Sequence, residues 1–324
     1  MARIPENVMH ELEVAEAAGR CLAARDSGSR ETLSVLAKAG LLVRPARSLY
    51  ANPFAWAELP VQERARRVIR SYARMHPTWV FSGASAALLH GLEVSNEQAM
   101  RPCIAVTDKS SIRGREGVSR LFLASVEECR IEEIRVTSFR QTVSDCLRIL
   151  PFDQALAVAD SALRLTGRSR EELVKLVAEL ARNKRGAAQA RIVASIADGN
   201  SENGGESVAR AHMYELGYML PDLQVVFSDP LDPTRTYRVD YVWVLPDGSI
   251  VAGELDGLGK YCDPVLMGGR STARVISDER RRESRILADA HVRMMRFSYE
   301  DACDLPTFNR ILAYYGIPKR NVAA

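Results

Sequence analysis

A predicted β-hairpin near the C-terminus, with an acidic residue on each strand, constrains the fold of this chain more than any other feature. Its strands are apolar runs rich in valine, residues 241–244 and 250–252, joined by a Pro-Asp-Gly turn at 246–248. Proline suits the first turn position, and glycine supplies the left-handed residue that closes a three-residue loop. Charged residues rarely occupy such strands unless they hold an ion or a partner. Asp240 and Glu254 are therefore candidate functional residues.

The length of the turn decides which way these acidic side chains point. With a three-residue loop Leu245 faces Ser249, so Asp240 lies across from Glu254 with β-carbons about 5 Å apart. Asp256, two residues further on, points the same way. Carboxylates this close repel each other unless a cation lies between them, and oxygen ligands suit Mg²⁺ or Mn²⁺ rather than Zn²⁺. We therefore predict that Asp240, Glu254 and Asp256 hold Mg²⁺ or Mn²⁺; the alternative is an acidic β-ribbon without a metal.

Two further residues join the predicted site. Lys260 lies four residues after Asp256, where it would orient an attacking water or neutralise charge that develops on a phosphate. Glu206 opens a helix with apolar periodicity, and the alternative for Glu206 is a surface helix start favoured by the helix dipole. The predicted catalytic residues are Asp240, Glu254, Lys260 and Glu206.

This order of elements resembles the PD-(D/E)xK nuclease superfamily, in its very-short-patch-repair-endonuclease-like branch. The matching segments are Glu206-Ser207 with Arg210, residues 238–241, residues 254–257 with Lys260-Tyr261, and Glu279 with Arg282. The resemblance implies a restriction-endonuclease-like α/β domain with a mixed sheet flanked by helices. It also implies that the Asp and Glu bind the metal and that the helical Glu completes the site. The superfamily's lysine usually stands two residues after the Glu, where this chain has Asp256, so Lys260 as its displaced substitute is a hypothesis.

The front of the chain predicts a winged helix-turn-helix over residues 1–55. Residues 8–24 indicate an amphipathic helix, a short second helix ends at Gly40, and residues 41–50 indicate a β-hairpin wing. Side chains that face away from the core on these elements would approach bases and phosphates. The predicted DNA-binding residues are Arg30, Thr32 and Lys38 on the second helix and Arg44 and Arg47 on the wing.

Three segments of this front half resemble the AbiEi-type antitoxins of abortive-infection toxin–antitoxin pairs. They are the wing at 41–50, the alanine-rich 81–92 with its His-Gly end, and 136–145. This resemblance implies DNA binding and a toxin as a further partner. None of the three segments has a nucleophile arrangement that would indicate a hydrolase.

These observations predict a mixed fold of α+β and α/β parts. A winged helix-turn-helix at 1–55 precedes an α+β region at 56–197, whose last helix is expected at 187–196. A turn-rich linker at 198–205 leads to the nuclease-like domain at 206–324.

Composition excludes several other classes of protein. No run in the 324 residues approaches the roughly 18 apolar residues of a membrane span, so we expect no membrane partner. The six cysteines are far apart, which favours reduced thiols in a cytoplasm over disulfides or a zinc site. Residues 201–324 carry 15 Lys and Arg against 18 Asp and Glu, so the net positive charge lies in the front half, which fits modest binding to a nucleic-acid backbone.

Two functions remain open at this point. The first is a Mg²⁺-dependent endonuclease whose front half binds DNA. The second is a DNA-binding regulator, or an antitoxin-like protein, whose nuclease-like domain is catalytically silent. The Asp at the usual lysine position favours the second function, and the intact Asp/Glu pair with Lys260 favours the first.

Overall fold

A computed structural model describes residues 3–109, 117–229, 231–256 and 291–320 of the chain. They form a mixed α/β fold that divides into two compact units. Unit 1 comprises Met1–Leu150 and Val174–Arg191, and unit 2 comprises Pro151–Leu173 and Ile192–Ala324. Among the described helices, none combines the length and apolar character that crossing a membrane requires.

Unit 1 begins with two helices and a small antiparallel sheet. The elements are α1 (Glu6–Ala17), β1 (Leu22–Ala23), α2 (Ser27–Lys38), β2 (Val43–Ala46) and β3 (Leu49–Ala51), and the strand order is β1-β3-β2. The helix predicted over 8–24 ends seven residues early, at Ala17. Gly19 adopts a left-handed conformation there, with φ of 63°, and the chain then pairs with β3 as β1. The apolar side of α2, through Leu33 and Leu36, packs in the core that α1 and β3 share.

The rest of unit 1 is a set of helices around two pairs of strands. β4 and β5 are parallel, and β6 and β7 form an antiparallel hairpin. The elements are α3 (Pro53–Glu58), α4 (Val61–Met75), α5 (Gly83–Leu89), α6 (Asn96–Ala99), β4 (Cys103–Val106), β5 (Ser119–Phe122), β6 (Glu128–Ile131), β7 (Ile134–Thr137) and α7 (Phe139–Ile149). The boundary between the units runs through the helices α9 (Arg170–Leu180) and α10 (Ala187–Ile196).

Unit 2 contains a four-stranded mixed sheet with helices packed on one face. The elements are α8 (Phe152–Thr166), α11 (Gly204–Glu215), β8 (Asp222–Asp229), β9 (Asp232–Val244), β10 (Ile250–Asp256), β11 (Val292–Ser298), α12 (Tyr299–Cys303) and α13 (Leu305–Tyr314). The strand order is β11-β10-β9-β8; β10 and β11 run parallel, and the other neighbours run antiparallel. Tyr241 and Trp243 pack with Met213 of α11 and Phe308 of α13 in the core.

The predicted hairpin register is confirmed. Val244 pairs with Ile250, and the ladder continues to Tyr241 with Gly253. The amide of Leu245 donates to the carbonyl of Ser249 at 2.8 Å, which closes a three-residue loop. Gly248 is the left-handed residue that the loop needs, with φ of 84°.

The two units divide the chain differently from the predicted domains. Residues 1–55 share unit 1 with most of the following region, and unit 2 begins near Pro151, well before the expected linker at 198–205. That segment is packed against α8. The amide of Asp198 donates to the carboxylate of Asp160 at 2.7 Å, and Ser201 is fully buried. A run of turn-forming residues therefore marks the start of α11 but not a boundary between units.

Candidate active site

Asp240 lies where the β9–β10 ladder ends. Tyr241 with Gly253 is the last pair in register, and one residue further on the Asp240 carboxylate takes over the role of a backbone partner. Its Oδ2 accepts the amide of Leu255 at 3.1 Å. The carboxylate is therefore held at the end of the ladder by the amide of the residue that follows Glu254. The paired register ends before Asp240 and Glu254, the pair that the hairpin predicted.

Gln224 of β8 connects Asp240 to Glu206. Its Nε2 donates to Asp240 Oδ1 at 3.4 Å and to Glu206 Oε2 at 3.3 Å, so a single amide group contacts both carboxylates. The β8–β9 register on either side places Gln224 opposite Asp240. Gln224 has φ of 53°, a left-handed conformation that is costly for a non-glycine residue inside a strand.

That conformation changes which face the following side chains occupy. Leu223 packs in the core under α11, whereas Val225 packs in a second cluster with Val242. Residues two apart on a regular strand share a face, so the strand is turned over at Gln224. Strained residues of this kind concentrate at functional sites. Sequence reasoning missed Gln224 because nothing in its neighbours predicts a positive φ.

Glu206 is buried at the start of α11, with 3% of its surface exposed, so it is not the surface helix start that was the alternative. Its two oxygens accept from the Asn203 side chain at 2.6 Å and from the amide of Glu202 at 2.8 Å. Asn203 in turn caps the amide of Glu206 at 3.0 Å. Burial, reinforced by the nearby charge of Asp240, raises the pKa of Glu206 from 4.5 to about 7.

Glu254 and Asp256 meet a cation that belongs to the protein itself. Arg296 of β11 pairs with Glu254 at 3.3 Å and approaches Asp256 at 3.7 Å. The parallel register places Arg296 beside Glu254, and this explains why one guanidinium reaches carboxylates two residues apart. Glu254 is 4% exposed, so a buried charge has a partner here. Sequence reasoning missed Arg296, because this residue lies 42 positions after Glu254 along the chain.

The carboxylates of Glu206 and Asp240 fit a divalent ion. They share one donor, and the charge of Asp240 contributes to the raised pKa of Glu206, an effect that a cation would relieve. Mg²⁺ is commonly held by one or two carboxylates and keeps several waters. Within the described ranges, no group of three or more His, Cys, Asp and Glu side chains is placed to hold a metal ion. Lys260 lies outside the described residues.

A buried ion pair supports the helix that carries Glu206. Arg210 of α11 donates to Asp160 of α8 at 2.7 Å and to the carbonyl of Ile196 at 2.6 Å. Asp160 is fully buried, and burial raises its pKa from 3.8 to about 6 although Arg210 acts in the opposite direction. Arg210 is one of the residues on which the expected resemblance to nucleases was based, whereas its partner lies 50 residues earlier and was not predicted.

The five predicted DNA-binding residues are all exposed on unit 1. Arg30 and Arg47 line one cavity, so α2 and the β2–β3 turn bring two of them together. The hydroxyl of Thr32 donates to the carbonyl of Gly28 at 3.1 Å, which occupies its hydrogen within the helix. Lys38 and Arg44 do not line this cavity.

Two proteins of Mycobacterium tuberculosis, both described as uncharacterized, are similar to this chain. One is from strain CDC 1551 / Oshkosh and the other from strain ATCC 25618 / H37Rv. Each is 29% identical over 248 residues, which cover 74% of this chain and 82% of the relative. No family model matches the chain, and no solved structure matches it. Its function is therefore inferred from the geometry of the site.

Proposed function

We propose that the protein binds DNA through unit 1 and hydrolyses phosphodiester bonds in unit 2, with a Mg²⁺ or Mn²⁺ ion held by Glu206 and Asp240. The observation that carries this proposal is the contact of both carboxylates with the single amide of Gln224. Two buried or half-buried acids with a shared donor, one of them with a pKa raised to about 7, form a site that a cation stabilises.

The arrangement of unit 2 supports the proposal. A helix, three antiparallel strands and a fourth strand parallel to the third follow the order that the resemblance to PD-(D/E)xK nucleases implies. We propose that Glu206 on the helix, Asp240 on the second strand and Glu254 on the third correspond to the acidic residues of that motif. We propose the winged helix-turn-helix for residues 1–55 on the same grounds, from the strand order β1-β3-β2 beside α2.

Each residue of the site has a distinct part in this proposal. A bound Mg²⁺ supplies a polarised water and neutralises charge on the phosphate. Gln224 orients the carboxylates of Glu206 and Asp240. Arg296 balances the charge of Glu254 and Asp256, so that a phosphate chain approaches a less acidic surface. Asp256 as a further metal ligand and Lys260 as the group that orients the water complete the proposal.

Metal binding and plasmid nicking together test the site. A cation at 100 times its Kd stabilises the folded state by about 2.7 kcal/mol, so Mg²⁺ or Mn²⁺ should raise the Tm measurably. The Tm gain and the nicking of supercoiled plasmid should both be lost in Asp240→Asn. Asp222→Asn, an exposed residue of β8, is the matched control and should retain both. Nicking that persists at the wild-type rate in Asp240→Asn would disprove the assigned site.

A catalytically silent, antitoxin-like DNA-binding regulator is the second candidate. The ion pair of Arg296 with Glu254 favours it, because a guanidinium already neutralises the carboxylate that the motif assigns to the metal. Asp256 at the usual lysine position points the same way. This candidate predicts that the protein binds DNA but does not nick plasmid in the presence of either Mg²⁺ or Mn²⁺. It also predicts a toxin as a further partner.

The proposed DNA contact of unit 1 is tested separately. Lys38→Ala and Arg44→Ala should weaken duplex binding. Each variant should also reduce the slope of log affinity against log salt concentration by about one, because one phosphate contact is lost. If both variants bind duplex DNA with wild-type affinity across the salt range, then α2 and the wing do not contact the duplex.

A further inference from the structure

Unit 1 contains a cavity of about 480 Å³ that three elements enclose. Arg25 comes from the segment before α2 and Arg30 from α2 itself. The β2–β3 turn contributes Arg47, and the residues after α4 contribute His76 and Trp79. A volume of this size suits a small organic ligand.

The charge of the cavity is positive. Three arginines line it, and none of the described residues in its lining is acidic. All three arginines are exposed, and Arg25 also pairs with Glu11 at 3.3 Å. Guanidinium groups that line one cavity suit an anionic group such as a phosphate, which they bind through bidentate hydrogen bonds.

The backbone beneath Arg47 is held in place. The hydroxyl of Tyr72 donates to the carbonyl of Arg47 at 3.2 Å, and the amide of Ala24 donates to the carbonyl of Ser48 at 3.0 Å. Ser48 is buried and left-handed, with φ of 61°, so this turn is determined by its surroundings. The Arg47 side chain therefore starts from a fixed position at the cavity.

The other wall of the cavity is aromatic. The rings of His76 and Trp79 are stacked, with centroids 3.9 Å apart and planes 15° apart. Tyr72 lies 5.9 Å from Trp79 in a tilted arrangement. Stacked aromatic rings and guanidinium groups in the lining of one cavity match a ligand that has a flat ring and a phosphate.

We propose that this cavity binds one nucleotide of an unpaired nucleic-acid strand, with its phosphate on Arg30 and Arg47 and its base against Trp79. The inference rests on the proposed nucleic-acid binding of unit 1 and is independent of hydrolysis in unit 2. It adds to that proposal that unit 1 recognises an unpaired nucleotide, whose base face is accessible, in addition to duplex backbone.

Tryptophan fluorescence of the full chain reports directly on the cavity. Of the three tryptophans, Trp56 and Trp243 are buried, so quenching on binding comes mainly from Trp79. The probe is an oligothymidylate of eight nucleotides, compared with thymidine monophosphate and with inorganic phosphate. We expect the oligonucleotide to quench the fluorescence and the monophosphate to bind the same cavity more weakly.

Three variants separate the contributions. Trp79→Leu should weaken oligothymidylate binding by about fivefold to a hundredfold, the range for one stacked base, as measured by anisotropy of a labelled oligonucleotide. Arg30→Ala, at an exposed position where folding is not at risk, should also weaken it and reduce its salt dependence. Arg130→Ala, an exposed arginine of β6 outside the cavity, is the matched control and should bind as wild type.

Each other outcome overturns the inference. Inorganic phosphate that competes as well as the monophosphate would show an anion site without base recognition. If Arg30→Ala binds oligothymidylate with wild-type affinity, the cavity is not the binding site. This result is decisive even if Trp79→Leu fails to fold. In a third outcome, Arg44→Ala lowers duplex binding while oligothymidylate fails to quench the fluorescence of the wild-type protein. That combination would support the proposed DNA binding of unit 1 and refute nucleotide binding in the cavity.

Discussion

Removal of the buried Arg210 guanidinium should destabilise the protein in a way that depends on pH. Arg210 donates to Asp160 at 2.7 Å and to the carbonyl of Ile196 at 2.6 Å, and both charged groups are almost completely buried. Arg210→Met keeps much of the side-chain volume but leaves a buried carboxylate without its cation. Loss of one partner of a buried ion pair costs about 3–5 kcal/mol.

The pKa of Asp160 sets the pH window. Burial raises this pKa from 3.8 to about 6, so folding favours the protonated acid, and the free energy of unfolding falls as pH rises from about 4 to about 6. These two pKa units correspond to about 3 kcal/mol. Without Arg210 the pKa of Asp160 rises further, so the loss continues above pH 6. We expect the full 3–5 kcal/mol effect of Arg210→Met near pH 8 and a smaller effect near pH 5, where the carboxyl is protonated in both proteins.

Urea unfolding followed by circular dichroism, in a metal-free buffer near pH 5 and pH 8, measures this difference. Arg101→Met is the matched control, because Arg101 pairs with Glu97 on the surface, where such pairs contribute at most about 1 kcal/mol. Asp160→Asn should remove the pH dependence of Arg210→Met. An equal loss at both pH values, or a loss no larger than that of the control, would refute the assigned role of the pair.

Two further predictions concern the packing of single residues. Gly253→Ala should lower the Tm, with a loss of about 1–3 kcal/mol, because its Cβ would lie 2.9 Å from the Trp243 ring; Gly28→Ala, which meets no such contact, should leave the Tm unchanged or raise it. Cys21 and Cys146 should resist a thiol reagent until the protein unfolds, because burial raises the pKa of both thiols. Fast labelling of either residue in the native state would contradict their buried positions.

Local chemistry made part of the fold predictable. The Pro-Asp-Gly turn predicted the register of Val244 with Ile250, because the number of residues in a hairpin loop decides which side chains face each other. The helix expected over 187–196 is α10, with the same bounds. In both cases, the residues that decide the structure are neighbours along the chain.

Contacts between distant segments were not predictable in this way. The helix expected over 8–24 ends at Ala17 because β1 pairs with β3, about 27 residues further along the chain. Likewise the chain divides near Pro151 because α8 packs against α11, whereas composition favoured residues 198–205 as the boundary. Turn-forming residues indicate where an element ends, but packing decides which elements belong together.

The candidate site combines both kinds of information. The sequence alone determined that acidic side chains lie on a core hairpin, because strand alternation and turn length are local properties. Only the tertiary structure decided their partners. Gln224 donates hydrogen bonds to both Asp240 and Glu206, and Arg296 forms a salt bridge with Glu254. The physical reason is that a buried charge requires a partner wherever the fold can supply one, and these partners come from strands and a helix that meet only when the sheet has formed.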